Sequence, residues 1–108
     1  MKLAKDLLAA FRSVNRLTDA LAQKHDCSPD EYFFLMLLQG GKHPLPGMIA
    51  KELAITASRT SRYLGRLESK GLIHREIGKE DHRQMHFTIT EKGRAFLAEV
   101  QGAVDSIR

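Results

Sequence analysis

Between Thr56 and Lys70 the chain reads Thr-Ala-Ser-Arg-Thr-Ser-Arg-Tyr-Leu-Gly-Arg-Leu-Glu-Ser-Lys, closed by Gly71. Wound as a helix at about 100° per residue, this stretch has two faces of different chemistry. Ser58, Ser61, Arg62, Gly65, Arg66 and Ser69 share one side, with Arg59 at its border. Tyr63, Leu64 and Leu67 share the other, with Thr60 beside them. The polar side carries hydroxyls and guanidiniums but no carboxylate, whereas an ordinary solvated face mixes signs. Short donors and arginines suit phosphate oxygens and the base edges of a DNA groove.

The charge distribution points the same way. The formal net charge is +4. Residues 56–94 hold nine Lys/Arg against five Asp/Glu, so the excess sits in the stretch that opens with this helix. A local basic patch is the electrostatic footprint of a nucleic-acid binder. Catalysis finds no support: there is no nucleophile elbow, phosphate loop or paired-carboxylate motif. No catalytic residue and no cofactor are expected. His74, His82 and His86 lack metal-ligand spacing, so no metal is expected either. Cys27 is the one cysteine, which excludes an intramolecular disulfide and fits a reducing compartment. Asp26 beside it disfavours a reactive thiolate. No apolar run reaches membrane-spanning length, and the charged N-terminus lacks the apolar core of a signal peptide, so a cytoplasmic protein is expected.

At 108 residues the chain is expected to form one domain. Residues 2–24 read as a long helix, because Leu3, Leu7, Phe11, Val14, Leu17 and Leu21 recur at steps of three and four. Such a stripe exceeds what one small core needs, and part of it is expected to pack on another subunit. Ser28-Pro29-Asp30-Glu31 is a helix start: Ser28 as N-cap, Pro29 at the first turn, Glu31 closing a capping box. The following Tyr32-Phe33-Phe34-Leu35-Met36-Leu37-Leu38 is apolar all round, so this helix is expected to be central. It ends at Gln39-Gly40-Gly41, and a loop runs to Gly47. A short helix from about Gly47 to Ala54 turns inward Ile49, Ala50 and Leu53. Ile55-Thr56 is the turn, with Thr56 capping the polar-faced helix. Together they make a helix-turn-helix.

After Gly71, Leu72–Ile77 and Gln84–Ile89 alternate as two strands joined by a charged tip. A hairpin placed there is a wing, able to reach a minor groove or the backbone. Thr90 caps a last helix, Glu91 to about Arg108, with Phe96, Val100, Ala103, Val104 and Ile107 as its apolar stripe. The fold class expected is mainly α with a small antiparallel β-hairpin. It is a winged helix-turn-helix (47–70 and 72–89) flanked by an N-terminal helix (1–24) and a C-terminal helix (91–108).

The residues now assembled carry a resemblance. The run Ile49-Ala50-Lys51-Glu52-Leu53-Ala54-Ile55, then Ser61-Arg62, Leu67-Glu68-Ser69-Lys70-Gly71-Leu72-Ile73 and Arg75, resembles the MarR family of bacterial winged-helix transcription regulators. The wing Asp81-His82-Arg83 and the run Ile89-Thr90-Glu91-Lys92-Gly93 match the family's Asp-x-Arg and Leu-Thr-x-x-Gly, with Ile89 in place of leucine. The resemblance implies an obligate homodimer on a palindromic operator in double-stranded DNA, and many relatives bind a small aromatic effector; a repressor is expected, because occupying an operator blocks polymerase by sterics alone. On it, Ser58, Arg59, Thr60, Ser61, Arg62 and Arg66 occupy the recognition helix. Arg75, Lys79, His82 and Arg83 serve the wing, which Asp81 orders; Arg75 could equally pair with Asp81. The flanking helices 1–24 and 91–108 would be dimerisation helices, with Leu3, Leu7, Phe11, Val14, Phe96, Val100 and Val104 building the dimer. Phe11, Arg12, Tyr32 and Phe33 would line an effector cleft. Family members usually carry a longer fifth helix and a further one, so the chain reads as a short member or a C-terminally truncated one. The competing reading is a winged-helix module that docks a protein rather than DNA.

Overall fold

The computed structural model describes residues 2–41, 45–77 and 85–107, residues 77 and 85 by backbone only. Five helices and one hairpin follow in order: α1 (Lys2–Lys24), α2 (Pro29–Gln39), α3 (Pro46–Leu53), α4 (Ala57–Ser69), β1 (Ile73–Ile77), β2 (Met85–Ile89) and α5 (Glu91–Asp105). The fold is therefore mainly helical with a two-stranded antiparallel hairpin, as expected.

The capping box at Ser28 forms. Its hydroxyl accepts from the Glu31 backbone at 3.3 Å, and the Ser28 N–H donates to Glu31 Oε1 at 3.4 Å. The apolar run behind that cap makes α2 the hub, packed on α1, α3, α4, α5 and β2. Phe34 and Leu35 have no exposed surface, and Tyr32 and Leu38 are buried, whereas Met36 is exposed. Burial of such side chains is worth about 1.5–3 kcal/mol each, so this one helix anchors the core.

The two helices of the helix-turn-helix are joined tightly. α3 ends on Ala54 in the left-handed region, φ 55°, a conformation costing a non-glycine residue about 1 kcal/mol. The turn it enables lets Thr56 cap α4, accepting from the Arg59 N–H at 3.2 Å. Below α4, Gly71 at φ +76° closes the helix. Its N–H donates to Glu68 O (2.9 Å) and the Leu72 N–H to Leu67 O (3.0 Å). This paired ending needs a residue free of Cβ crowding at Gly71.

The hairpin is rooted in the same place. Ile73 pairs with Ile89, Arg75 with Phe87 and Ile77 with Met85. The Thr90 N–H donates to Leu72 O at 3.0 Å, and the Thr90 hydroxyl donates to Gly71 O at 2.7 Å while accepting from the Gly93 N–H at 2.9 Å. Gly93 is buried against this junction, close enough that no side chain fits. The Thr-x-x-Gly run is thus a physical joint where α4, the hairpin and α5 meet.

α1 is unlike the rest. Of its 23 residues only Leu17 and Leu21 are buried. Leu3, Leu7, Phe11 and Val14 are 67%, 61%, 63% and 43% exposed. On α5 the core-facing residues are Gly93, Leu97 and Val100, with Phe96, Val104 and Ile107 partly buried against the same core.

Candidate nucleic-acid interface

The exposed side of α4 is built as its spacing predicts. Ser58, Ser61, Arg62, Gly65 and Ser69 are exposed. Thr60 is not. It is 5% exposed and its hydroxyl donates to Thr56 O at 2.8 Å, so it packs inward and offers nothing to a groove. Its place beside the apolar side of the helix outweighs its polar type.

The arginines of this face differ from one another. Arg59 Nη2 lies 2.7 Å from Asp30 Oδ2 and 3.2 Å from the Tyr63 hydroxyl, which itself donates to the same Asp30 oxygen. The Tyr63 hydroxyl and the Asp30 carboxylate push the Arg59 pKa further up. Arg66 Nε lies 3.3 Å from Glu31 Oε1, and its Nη2 lies 3.5 Å from Asp26. Lys70 Nζ reaches Glu31 Oε2 at 3.2 Å and Asp26 Oδ2 at 3.7 Å. Arg62 makes no ion pair or hydrogen bond among the described residues. It overlooks a groove of about 610 Å³ between the end of α1 and α4, which His25, Asp26 and Ser28 also line.

Sequence reasoning missed these carboxylate partners. Asp30 and Glu31 carried a capping signal only. Their partners on α4 lie 29 to 39 residues away, and no local pattern announces such a pairing. Glu31 does both jobs: it closes the capping box and, 2% exposed, anchors two cations of α4.

In the hairpin, Arg75 Nη2 bonds Glu68 Oε1 at 3.0 Å, and its guanidinium lies 5.4 Å from the centre of the Phe87 ring. Arg75 therefore braces the hairpin on α4. Lys79, Asp81, His82 and Arg83 lie outside the described residues, as does the Asp81 partner weighed for Arg75.

The residues named for dimerisation divide. Leu3, Leu7, Phe11 and Val14 are exposed, Phe96 and Val104 are partly buried, and Val100 is completely buried in its own core. Val100 corrects the expectation: the α5 stripe through Phe96 and Val104 continues around the helix into the core at Leu97 and Val100. The effector-cleft residues do not converge within one chain. Phe11 and Arg12 are exposed on α1. Tyr32 is buried, its hydroxyl donating to Gln101 Oε1 at 2.7 Å. Phe33 lines a separate apolar groove of about 240 Å³ with Val14, Leu17, Val104 and Ile107.

Cys27 is buried, and burial pushes its thiol up to about 12, with Glu31 adding to the shift and Lys70 opposing it. Roughly one thiol in ten thousand is then ionised at pH 8, and the thiolate is the reactive form. Iodoacetamide is expected to label the folded chain at pH 8 far more slowly than the chain in urea; equal rates would contradict the burial. Because the folded pKa is raised from 9.0, the unfolded thiol ionises first. The thiol's share of stability is therefore complete below about pH 9 and lost as pH rises toward 12. Among the described residues, no three His, Cys, Asp or Glu side chains gather as metal ligands, and no helix is long and apolar enough to cross a membrane.

Comparison with known proteins places this geometry. A model described as the MarR family matches residues 25–84, from just after α1 to just before β2. MhqR of Bacillus subtilis (strain 168), an HTH-type transcriptional regulator, is 31% identical over 101 residues, covering 93% of this chain and 69% of MhqR. The transcriptional repressor CouR, solved bound to a 23-mer DNA duplex, superposes with a TM-score of 0.79 at 28% identity, over 92% of this chain and 69% of CouR. A cysteine-to-serine mutant of MarR from E. coli superposes with a TM-score of 0.89 over 95% of this chain and 75% of its own, and at 20% identity that likeness speaks for the fold alone. A family match over residues 25–84, a relative 31% identical over 93% of this chain and a shared winged-helix fold agree: the chain belongs to the MarR family, a family of transcription regulators rather than enzymes.

Proposed function

We propose that this regulator binds a palindromic operator in double-stranded DNA as a homodimer and represses transcription by occupying it. The observation that carries the reading is the exposed side of α4, with Ser58, Ser61 and Arg62 free of carboxylates and Arg59 and Arg66 beside them. α4 is the second helix of a helix-turn-helix, the element that enters a major groove. The DNA-bound state of CouR supports the same reading. Arg83 and its neighbours Lys79 and His82 serve as the wing contact, ordered by Asp81, on the strength of the family's Asp-x-Arg run.

A second copy is the occupant of the α1 stripe. The first fifteen residues of α1 are all exposed, and an isolated helix of that length is marginal in water. A twin helix covering Leu3, Leu7, Phe11 and Val14 stabilises it and sets two copies of α4 on one duplex. Because Phe11, Arg12, Tyr32 and Phe33 form no common cleft in one chain, the proposal stops at DNA and the second copy.

Selection of bound duplexes from a random pool tests the reading; enrichment of a two-fold symmetric sequence is the expected result. Arg62→Ala should then weaken the selected operator by about tenfold or more, the 1–3 kcal/mol of a bidentate base contact, with an unchanged melting curve. An unaltered anisotropy titration would remove Arg62 from the interface.

A further inference from the structure

Three carboxylates at and before the start of α2 face the cations of α4. Asp26, Asp30 and Glu31 hold Arg59, Arg66 and Lys70, which leaves Arg62 as the helix's cation without a counter-charge among the described residues. The pairs are not alike. Glu31 is buried and structural, but the Arg59–Asp30 pair is open to water, with side chains 45% and 35% exposed. Among the described residues only Nη2 of Arg59 donates side-chain hydrogen bonds, to Asp30 and Tyr63, with the guanidinium 5.9 Å from the centre of the Tyr63 ring. Its Nη1 and Nε make no hydrogen bond among the described residues, so half of the guanidinium fork faces outward.

We propose that Asp30 is a specificity-determining residue: it shields the charge of Arg59, so that Arg59 contributes little to general attraction for DNA and engages where an operator places a phosphate or guanine edge against the open half of the fork. The inference rests on the DNA-binding reading above. General binding is counter-ion release and depends on uncompensated charge. A guanidinium already neutralised by a carboxylate releases little. An exposed ion pair is weak enough for a well-placed partner to share or displace it, and the Tyr63 hydroxyl on the same Asp30 oxygen keeps the clamp in one geometry. Discrimination rises because general affinity is suppressed while operator affinity is retained.

The test titrates the full chain with a mixed-sequence duplex and with the selected operator across a NaCl series. Asp30→Asn is expected to bind the mixed-sequence duplex roughly three- to tenfold tighter at low salt, with a log–log salt slope steeper by about 0.9, one further phosphate neutralised. The operator should gain less, so the ratio between the two falls. Asp30→Glu should restore wild-type behaviour. Glu99→Gln, on an exposed site of α5, makes the same change in net charge and should leave the slope near wild type. Adding Arg59→Ala to Asp30→Asn should abolish the gain. No gain, a gain matched by Glu99→Gln, or a gain that survives loss of Arg59 each overturns the shield. Tyr63→Phe, which loosens the clamp without changing charge, should shift mixed-sequence binding in the same direction and serves if Asp30→Asn folds poorly; unchanged binding there also overturns it. A wild-type chain without salt-dependent DNA affinity instead overturns the DNA-binding reading beneath it.

Discussion

Gly93→Ala is expected to cost about 3 kcal/mol or more of stability. A Cβ at this position would lie 2.1 Å from Leu72 O, 2.7 Å from Ile89 Cγ1 and 3.0 Å from the Leu72 carbonyl carbon. Two of these atoms are backbone at the root of the hairpin and cannot rotate away. In an unconstrained helix the same change stabilises by about 1 kcal/mol, because glycine is the poorer helix former. Gly102, on the same α5, has nothing within 4 Å of its would-be Cβ, so Gly102→Ala should raise the melting temperature. Gly93→Ala should lower it by roughly 12–20 °C, from the usual scaling for a domain of this size. Melts at one fixed protein concentration check the pair, since self-association also moves the midpoint. Equal shifts would mean that the junction relaxes and the close approach is immaterial.

The largest expected effect on DNA binding comes from far outside the recognition helix. Leu7→Glu with Phe11→Glu should convert a dimer at micromolar concentration into a monomer in sedimentation velocity and weaken operator binding by about 100-fold or more. Two half-sites held on one particle gain roughly that factor from effective concentration alone. Both side chains are more than 60% exposed, so the substitutions leave the chain's own core intact, and Leu17 and Leu21 still dock α1. A dimer that persists, or an operator affinity that does not change, would mean that α1 serves another surface. The single substitution Arg62→Ala leaves assembly untouched by contrast, so the two experiments separate reading from pairing.

Local chemistry made much of this fold legible in advance. Ser28 with Glu31, Thr56, Gly71 and Thr90 with Gly93 each make a capping bond to a residue within five positions, and every helix boundary they mark lies within two residues of the expected one, α5 apart, which ends at Asp105 short of the expected Arg108. The polar side of α4 was legible because a 3.6-residue period sorts side chains without knowing their neighbours. What failed to show was the identity of partners. Thr60 stands beside the apolar side by its spacing and among the recognition-helix residues by the resemblance, and Thr56 O claims its hydroxyl. Val100 looks like a dimer residue because the α5 stripe is wide, and only tertiary packing decides which edge of it the core takes. The carboxylates of α2 looked like helix-start residues, since pairing across 29 or more positions leaves no periodic trace. Arg75 was weighed between Asp81 and a phosphate, and the structure supplies Glu68 and the Phe87 ring.

The junction at Thr90 has a mechanical meaning for the whole particle. Gly71 closes α4, Leu72 leads into the hairpin and Gly93 lies in the first turn of α5, and all three are tied to one threonine. Arg75 adds a second fastening between hairpin and α4. Because the end of α4, the root of the hairpin and the first turn of α5 share one threonine, a displacement of α5 at its start reaches the other two together.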